Sequence, residues 1–253
     1  MFAKARAELL VTHGLGEHAG RYAHVAARLA ERGIRVHVYD LRGHGRSAGR
    51  RGDVENYDVL LHDLRRVYRE VAASGAPVFL FGHSMGGQIV LRFLEGDVPA
   101  VRGAVVASPW LRLAFSPPRW KLRLARVVMR FFPHHSQPTG MRLDRLTRDE
   151  AHVEAMPDRA LMHHRISARM FFAVHAASER AMAEAERVRT PLLLLHGDAD
   201  PVTCCRTTAE FHERVSVRDK ALRIFPGGLH ELHNDVIRED VLREVGDWVV
   251  ARW

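Results

Sequence analysis

The segment Gly82-His83-Ser84-Met85-Gly86-Gly87 stands between a short apolar run, Val78 to Phe81, and a helix-like stretch, Gln88 to Glu95. No other feature of the chain restricts its fold as much. A G-x-S-x-G pentapeptide joining a buried strand to a helix is the pattern of a nucleophile elbow, with the serine on a strained turn. Glycines two residues to either side suit a turn too tight for bulky neighbours. The Ser84 hydroxyl would then project from the strand end. The following helix would aim its N-terminal amides at negative charge developing there.

The rest of the chain alternates in the same way. Glu8 to His13 reads as a strand ending at Gly14, and Arg21 to Arg32 carries Tyr22, Val25, Leu29 and Ala30 at helical spacing before Gly33. Arg35 to Asp40 predicts a second strand, Tyr57 to Ala73 a helix, Val78 to Phe81 a third strand and Val101 to Ala107 a fourth. Late in the chain, Pro191 to His196 and Leu222 to Phe225 read as strands, with helices over Thr203 to Arg214 and Asp235 to Arg252. Such alternation specifies a parallel sheet with helices on both faces.

The middle of the chain breaks this rhythm. It carries Pro117, Pro118, Pro133, Pro138 and Pro157, and its helical stretches have no intervening strands. We read residues 109–186 as a helical cap inserted into a core made of residues 1–108 and 187–253. Within the cap, Arg119 to Phe132 interleaves Trp120, Leu122, Leu124, Val127, Val128, Phe131 and Phe132 with Lys121, Arg123, Arg126 and Arg130. A basic amphipathic helix of this kind suits a lid over an apolar site, and transient contact with a membrane or micelle is a further expectation.

Composition narrows the function classes. The 253 residues carry a net charge of +8, but the basic residues are spread along the chain, and only Lys4, Lys121 and Lys220 are lysines. A basic stripe or tail for nucleic acid is not expected. No run approaches the length of a membrane span, and Met1 to Glu8 lack the apolar core of a signal peptide, so a cytoplasmic location is expected. The only cysteines, Cys204 and Cys205, are adjacent, a spacing suited neither to an unstrained disulfide nor to a zinc site.

A serine hydroxyl is a weak nucleophile, so Ser84 requires a base, usually a histidine oriented by a carboxylate. His196-Gly197-Asp198-Ala199-Asp200-Pro201 places two carboxylates after a strand, and Gly227-Gly228-Leu229-His230 places an imidazole after the last one. Ligand sites of open α/β sheets form at that edge. His233 lies close by, but His230 follows the Gly-Gly loop directly and is the expected base. Asp198 and Asp200 both fit the acid position. An oxyanion needs backbone donors, each worth about 3–4 kcal/mol. The amides of Met85 and of Leu15, in the loop His13-Gly14-Leu15-Gly16, are the expected pair, with His13, Glu17 and His18 fixing that loop.

Four blocks carry a resemblance. They are His13-Gly14-Leu15-Gly16-Glu17-His18-Ala19-Gly20-Arg21-Tyr22, Asp40-Leu41-Arg42-Gly43-His44-Gly45-Arg46-Ser47, the elbow, and His196-Gly197-Asp198-Ala199-Asp200. Together the chain resembles the monoacylglycerol lipase and lysophospholipase family of α/β hydrolases. The resemblance implies an α/β-hydrolase fold with a mostly parallel sheet and a cap. It implies Ser84 as nucleophile, Asp200 as acid, His230 as base, and Leu15 and Met85 as the oxyanion amides. It also implies no metal or organic cofactor.

Members of that family usually carry about twenty more residues ahead of the His-Gly block, forming an edge hairpin. Here twelve residues precede His13, so either the hairpin is absent or the start is trimmed, and a sheet of about six strands is expected. The cap stretch Arg159 to His164 only approximates the family's version, which leaves the acyl pocket less defined. The expected activity is hydrolysis of single-acyl lipid esters, monoacylglycerol or lysophospholipid, through an acyl-enzyme. An aminopeptidase or amidase on the same triad is the alternative, since the cap holds Asp144, Asp149, Glu150, Glu154 and Asp158. A non-catalytic binding protein on this fold is a third reading, disfavoured because all three triad residues are present.

Overall fold

The computed structural model describes residues 5–96, 100–156 and 158–253. Met1, Lys4 and Pro157, used above, lie outside the described residues. The core contains strands β1 (Ala7–Thr12), β2 (Ile34–Val38), β3 (Val78–His83) and β4 (Gly103–Ala107), separated by helices α1 (Ala23–Ala30), α2 (Asp58–Ala72) and α3 (Met85–Leu94). The middle segment adds α4 (Arg119–Phe131), β5 (Ser136–Pro138), α5 (Glu150–Glu154), β6 (Arg165–Ser167) and α6 (Ala168–Glu184). The alternation then resumes with β7 (Leu192–Gly197), α7 (Cys205–Arg214), β8 (Lys220–Phe225) and α8 (Arg238–Val250).

Six strands form one sheet in the order β2-β1-β3-β4-β7-β8, and every adjacent pair is parallel. The four inner strands are buried along their whole length, which is why they read as apolar runs rather than alternating ones. Side chains still alternate between two cores. Leu10, Leu80, Val106 and Leu194 pack on the face covered by α2, α3, α6 and α7. Leu9, Phe79, Val105 and Leu193 pack on the opposite face, against Val25 and Leu29 of α1 and Val241, Val245 and Trp248 of α8. In α2, Leu60, Leu64, Tyr68 and Val71 recur every three or four residues and are its buried stripe.

The middle segment differs from expectation in one respect: it is not purely helical. Strands β5 and β6 form a two-stranded antiparallel sheet, pairing Ser136 with Ser167 and Pro138 with Arg165. Pro138 can close such a pair because an edge position does not require its missing N–H. This small sheet is tied to the core through Asp53. The Asp53 carboxylate accepts the Ser167 hydroxyl (2.7 Å) and the Arg169 guanidinium (2.7 Å), while the Ser167 amide donates to Gly52 (2.7 Å). A second tie runs from the His163 amide to the carbonyl of Gly16 (3.1 Å), next to Leu15.

Candidate active site

The turn after β3 holds Ser84 at φ 54°, a left-handed value that a non-glycine residue adopts only when its surroundings enforce it. The backbone is pinned there: the Ser84 amide donates to Ala107, and the Ser84 carbonyl accepts from Gln88 and Trp110, each at 3.0 Å. The flanking glycines permit the close approach. A Cβ on Gly82 would meet the backbone of Gly86 and Gly87 at 2.7 Å, and one on Gly86 would meet the Thr12 carbonyl at 2.0 Å.

His230 Nε2 lies 2.9 Å from Ser84 Oγ, and His230 Nδ1 lies 2.8 Å from Asp200 Oδ2. Three side chains far apart in sequence thus meet at the carboxyl ends of β3, β7 and β8. The two ambiguous positions separate cleanly. Asp198 points away and accepts the Gly227 amide (2.6 Å), capping the loop. His233 is buried against Tyr22 and His83, with ring centroids 4.9 and 4.8 Å apart.

Asp200 is heavily solvated by the protein. Its Oδ1 accepts the amides of Val202 (2.7 Å) and Thr203 (3.1 Å). Its Oδ2 accepts the Thr203 hydroxyl (2.7 Å) and faces His196 Nε2 (3.1 Å) as well as His230. Burial alone would raise this carboxyl. The His230 imidazole beside it and the hydrogen bonds from His196 and His230 outweigh it and hold the group well below the usual carboxylate range.

Met85 opens α3, so its N–H has no partner within the helix and faces the elbow. In the loop after β1 the Gly14 amide is already bound to Glu17 Oε1 (2.9 Å), while among the described residues the Leu15 amide donates to nothing. These are the two amides expected from the sequence.

Below them lies a polar network that sequence reasoning recognised only in part. Glu17 Oε1 also accepts His83 Nδ1 (2.7 Å), and Glu17 Oε2 accepts the Tyr22 hydroxyl (3.1 Å). Arg21 is fully buried, 3.2 Å from Glu17, and forms a bidentate pair with Glu231 at 2.9 and 2.5 Å. Both ring nitrogens of His83 face acceptors, Glu17 and the His230 carbonyl (3.2 Å), so both carry protons. Burial pushes the His83 imidazole down, but Glu17 outweighs that and leaves it raised. Glu17 stays ionised, since His83 and Arg21 overcome the effect of burial. Among the described residues Glu17, His83 and His233 have ligand atoms within 4.8 Å of one another. Glu17 already takes three donors, from Gly14, His83 and Tyr22, and Arg21 adjoins it, so a metal ion fits poorly there.

A cavity of about 690 Å³ opens above Ser84 and His230. Its wall is largely apolar, with Leu15, Trp110, Leu113, Leu124, Val128 and Phe171 among its residues. That is the size and character of a small-molecule site. Helix α4 contributes to this wall but buries none of its own side chains. Residues His196, Thr203 and the Arg21–Glu231 pair were not identified from sequence. The available signal was a histidine ending an apolar strand four residues before Asp200, and an arginine placed directly before Tyr22 at the entry to α1.

Residues 3–237 match the family model described as serine aminopeptidase, S33. The crystal structure of monoacylglycerol lipase from Paleococcus ferrophilus is similar, with TM-score 0.86 and 33% identity over 97% of this chain and 95% of that one. Human monoglyceride lipase is 30% identical over 98% of this chain and 83% of its own length. An abhydrolase domain-containing protein of Dictyostelium discoideum is 33% identical over 98% of this chain, which spans only 27% of that protein's length. With the parallel sheet, the strained serine turn and the cavity above it, these likenesses mean that the chain belongs to the monoacylglycerol lipase-like family of α/β hydrolases and is a serine hydrolase.

Proposed function

We propose that the protein hydrolyses carboxylic esters of single-acyl lipids, monoacylglycerols foremost, through an acyl-enzyme. The observation that carries this reading is the Ser84–His230–Asp200 chain of hydrogen bonds at 2.9 and 2.8 Å beneath an apolar cavity. In this reading His230 Nε2 removes the Ser84 proton as Oγ attacks the ester carbonyl. Asp200 fixes the imidazole with its proton on Nδ1 and stabilises the imidazolium. The amides of Leu15 and Met85 receive the oxyanion, and His230 returns the proton to the leaving alcohol. Water then attacks the acyl-enzyme by the same route, releasing the fatty acid. None of these steps draws on a metal or organic cofactor.

An amide substrate with a free ammonium group is disfavoured by the cavity wall. The cap acids Asp144, Asp149, Glu150, Glu154 and Asp158 are not part of it. The acids that are, Glu17 and Glu231, are already paired with Arg21. A rate profile over monoacylglycerols and lysophospholipids of graded acyl length, with aminoacyl amides in parallel, tests the assignment. Ester turnover at least a hundredfold above amide turnover supports it, and the reverse order contradicts it.

The cap also suits a lipid surface. Trp120, Leu124, Val127, Phe131 and Phe132 are each more than half exposed beside the cavity, flanked by Arg119, Lys121, Arg123, Arg126 and Arg130. Among the described residues none of these five cations has an ion-pair partner. In this reading α4 rests on an anionic membrane or micelle and lets the acyl chain pass directly into the cavity. No helix among the described residues is long and apolar enough to cross a membrane.

A further inference from the structure

We propose that His196 is a positioning residue for the reaction, acting through Asp200 as a second imidazole on the carboxylate oxygen that orients His230. The proposal rests on the triad reading given above and concerns a residue outside it.

His196 is the next-to-last residue of β7 and is fully buried. Its Nε2 lies 3.1 Å from Asp200 Oδ2, the same oxygen that receives His230 Nδ1 at 2.8 Å. An ionised carboxylate oxygen can only accept, so His196 Nε2 must carry a proton. The ring is held in that orientation from its other side, where Nδ1 lies 2.8 Å from the hydroxyl of Thr208 on α7. A flipped ring would turn carbon toward Asp200 and take away the third donor on Oδ2, beside the Thr203 hydroxyl and His230.

The consequence is geometric and electrostatic. Oδ1 is fixed by two backbone amides and Oδ2 by Thr203 and His196, so the carboxylate cannot rotate away from His230. The donor on Oδ2 also withdraws charge from the bond to His230 and so limits how tightly Asp200 holds the imidazole in its protonated form. The titratable groups packed around Asp200 are His196 on β7, His230 after β8 and Cys205 at the start of α7. Among these only His196 supplies a side-chain N–H that the triad itself does not use. A packing role for the ring predicts loss of stability, whereas a positioning role predicts a change in how the base titrates.

The test compares His196→Leu, which keeps the approximate volume, with His196→Gln, whose side-chain amide can donate to the same oxygen. Esterase rates are measured across pH with a soluble short-chain ester. For the Leu variant, kcat falls about tenfold or more with little change in KM, and the acid limb of kcat/KM moves to higher pH by about half a unit. The Gln variant returns to within about threefold of wild type, with its acid limb restored. A Leu variant with wild-type rate and pH profile overturns the proposal. So do equal losses in both variants with an unmoved acid limb, the result for simple packing.

Should the Leu variant not fold, Thr208→Val removes only the hydroxyl that orients the ring. The proposal then requires the same upward movement of the acid limb, and an unmoved profile refutes it. An inactive Ser84→Ala protein beside an unaffected His196→Leu protein would refute the role of His196 alone. An active Ser84→Ala protein would refute the triad reading instead.

Discussion

His83 Nε2 lies 3.2 Å from the main-chain carbonyl of His230, so the residue just before the elbow serine holds the loop that carries the facing imidazole. Through Nδ1 the same ring binds Glu17, which in turn holds the Gly14 amide beside Leu15. The elbow, the loop after β1 and the loop after β8 are therefore joined by one buried polar network rather than by packing alone. Its members have charges that offset one another, with Glu17 and Glu231 against Arg21 and a doubly protonated His83.

Removing one partner should be costly. In Glu231→Ala the Arg21 guanidinium, fully buried, loses its bidentate partner at 2.9 and 2.5 Å. Breaking a buried pair this way costs about 3–5 kcal/mol, or about 10 °C in Tm for a chain of this size. Thermal unfolding of the variant checks this, and combining it with Arg21→Met should recover part of the loss. A change in Tm under two degrees would show that the network is dispensable for stability.

Histidine burial gives the protein a defined response to acid. His13, His24, His44, His152, His163 and His233 are all held below their ordinary value, in each case first by burial. For His163, burial and then Arg51 push it down to about 4. The unfolded chain takes up these protons near 6.5 while the folded chain does not, so stability falls as pH drops below that value. Each unit costs about 1.4 kcal/mol for a fully buried imidazole that stays neutral, such as His44 or His233, and less for His152 and His163, which solvent partly screens. His83 works in the opposite sense: its contribution is complete below 6.5 and is lost as pH rises through its raised value. Urea unfolding at pH 7.5 and 5.5 should show a marked loss for wild type and a loss smaller by about 1 kcal/mol for His163→Gln. Identical losses would contradict the assignment.

The elbow tolerates no side chain at Gly86. A Cβ there would stand 2.0 Å from the Thr12 carbonyl, and neither backbone segment can retreat without moving β1 or α3. Gly86→Ala should lose about 4 kcal/mol or more and fail to react with a fluorophosphonate probe. Gly75→Ala, at a loop glycine with open space around it, is the control, though its φ of 74° keeps a modest strain. Equal stability of the two variants would count against the close approach.

Binding to lipid surfaces should depend on charge and on α4. Co-sedimentation with vesicles of phosphatidylglycerol should exceed that with phosphatidylcholine by about tenfold at low salt and weaken as salt rises. Exchanging Val127, Phe131 and Phe132, which are exposed and outside the cavity wall, for serine should abolish it while leaving turnover of a soluble ester unchanged. Equal binding to both vesicle types would remove the anionic surface from the account.

The parallel core was readable from sequence because its inner strands are buried on both faces, as the runs Val78 to Phe81 and Leu192 to Leu195 display. Ser84 and the loop holding Asp198 and Asp200 were readable because each follows such a run; the choice of Asp200 rests on the resemblance alone, and His230 follows the half-exposed outer strand β8. The β5–β6 pair was not, since three-residue strands containing Pro138 leave no periodic signal. His196 was equally hidden. Its ring completes an apolar strand in sequence, and only the fold shows that the Asp200 carboxylate turns back toward it. Arg21 was hidden for a related reason, because its partner Glu231 is 210 residues away.

The central claim is that Ser84 Oγ is the attacking atom, and turnover of a p-nitrophenyl ester by wild type and by Ser84→Ala tests it most directly. The account predicts a fall of about ten-thousandfold or more, with the variant folded to the same Tm within a few degrees. A Ser84→Ala protein that keeps a tenth or more of wild-type turnover would contradict it.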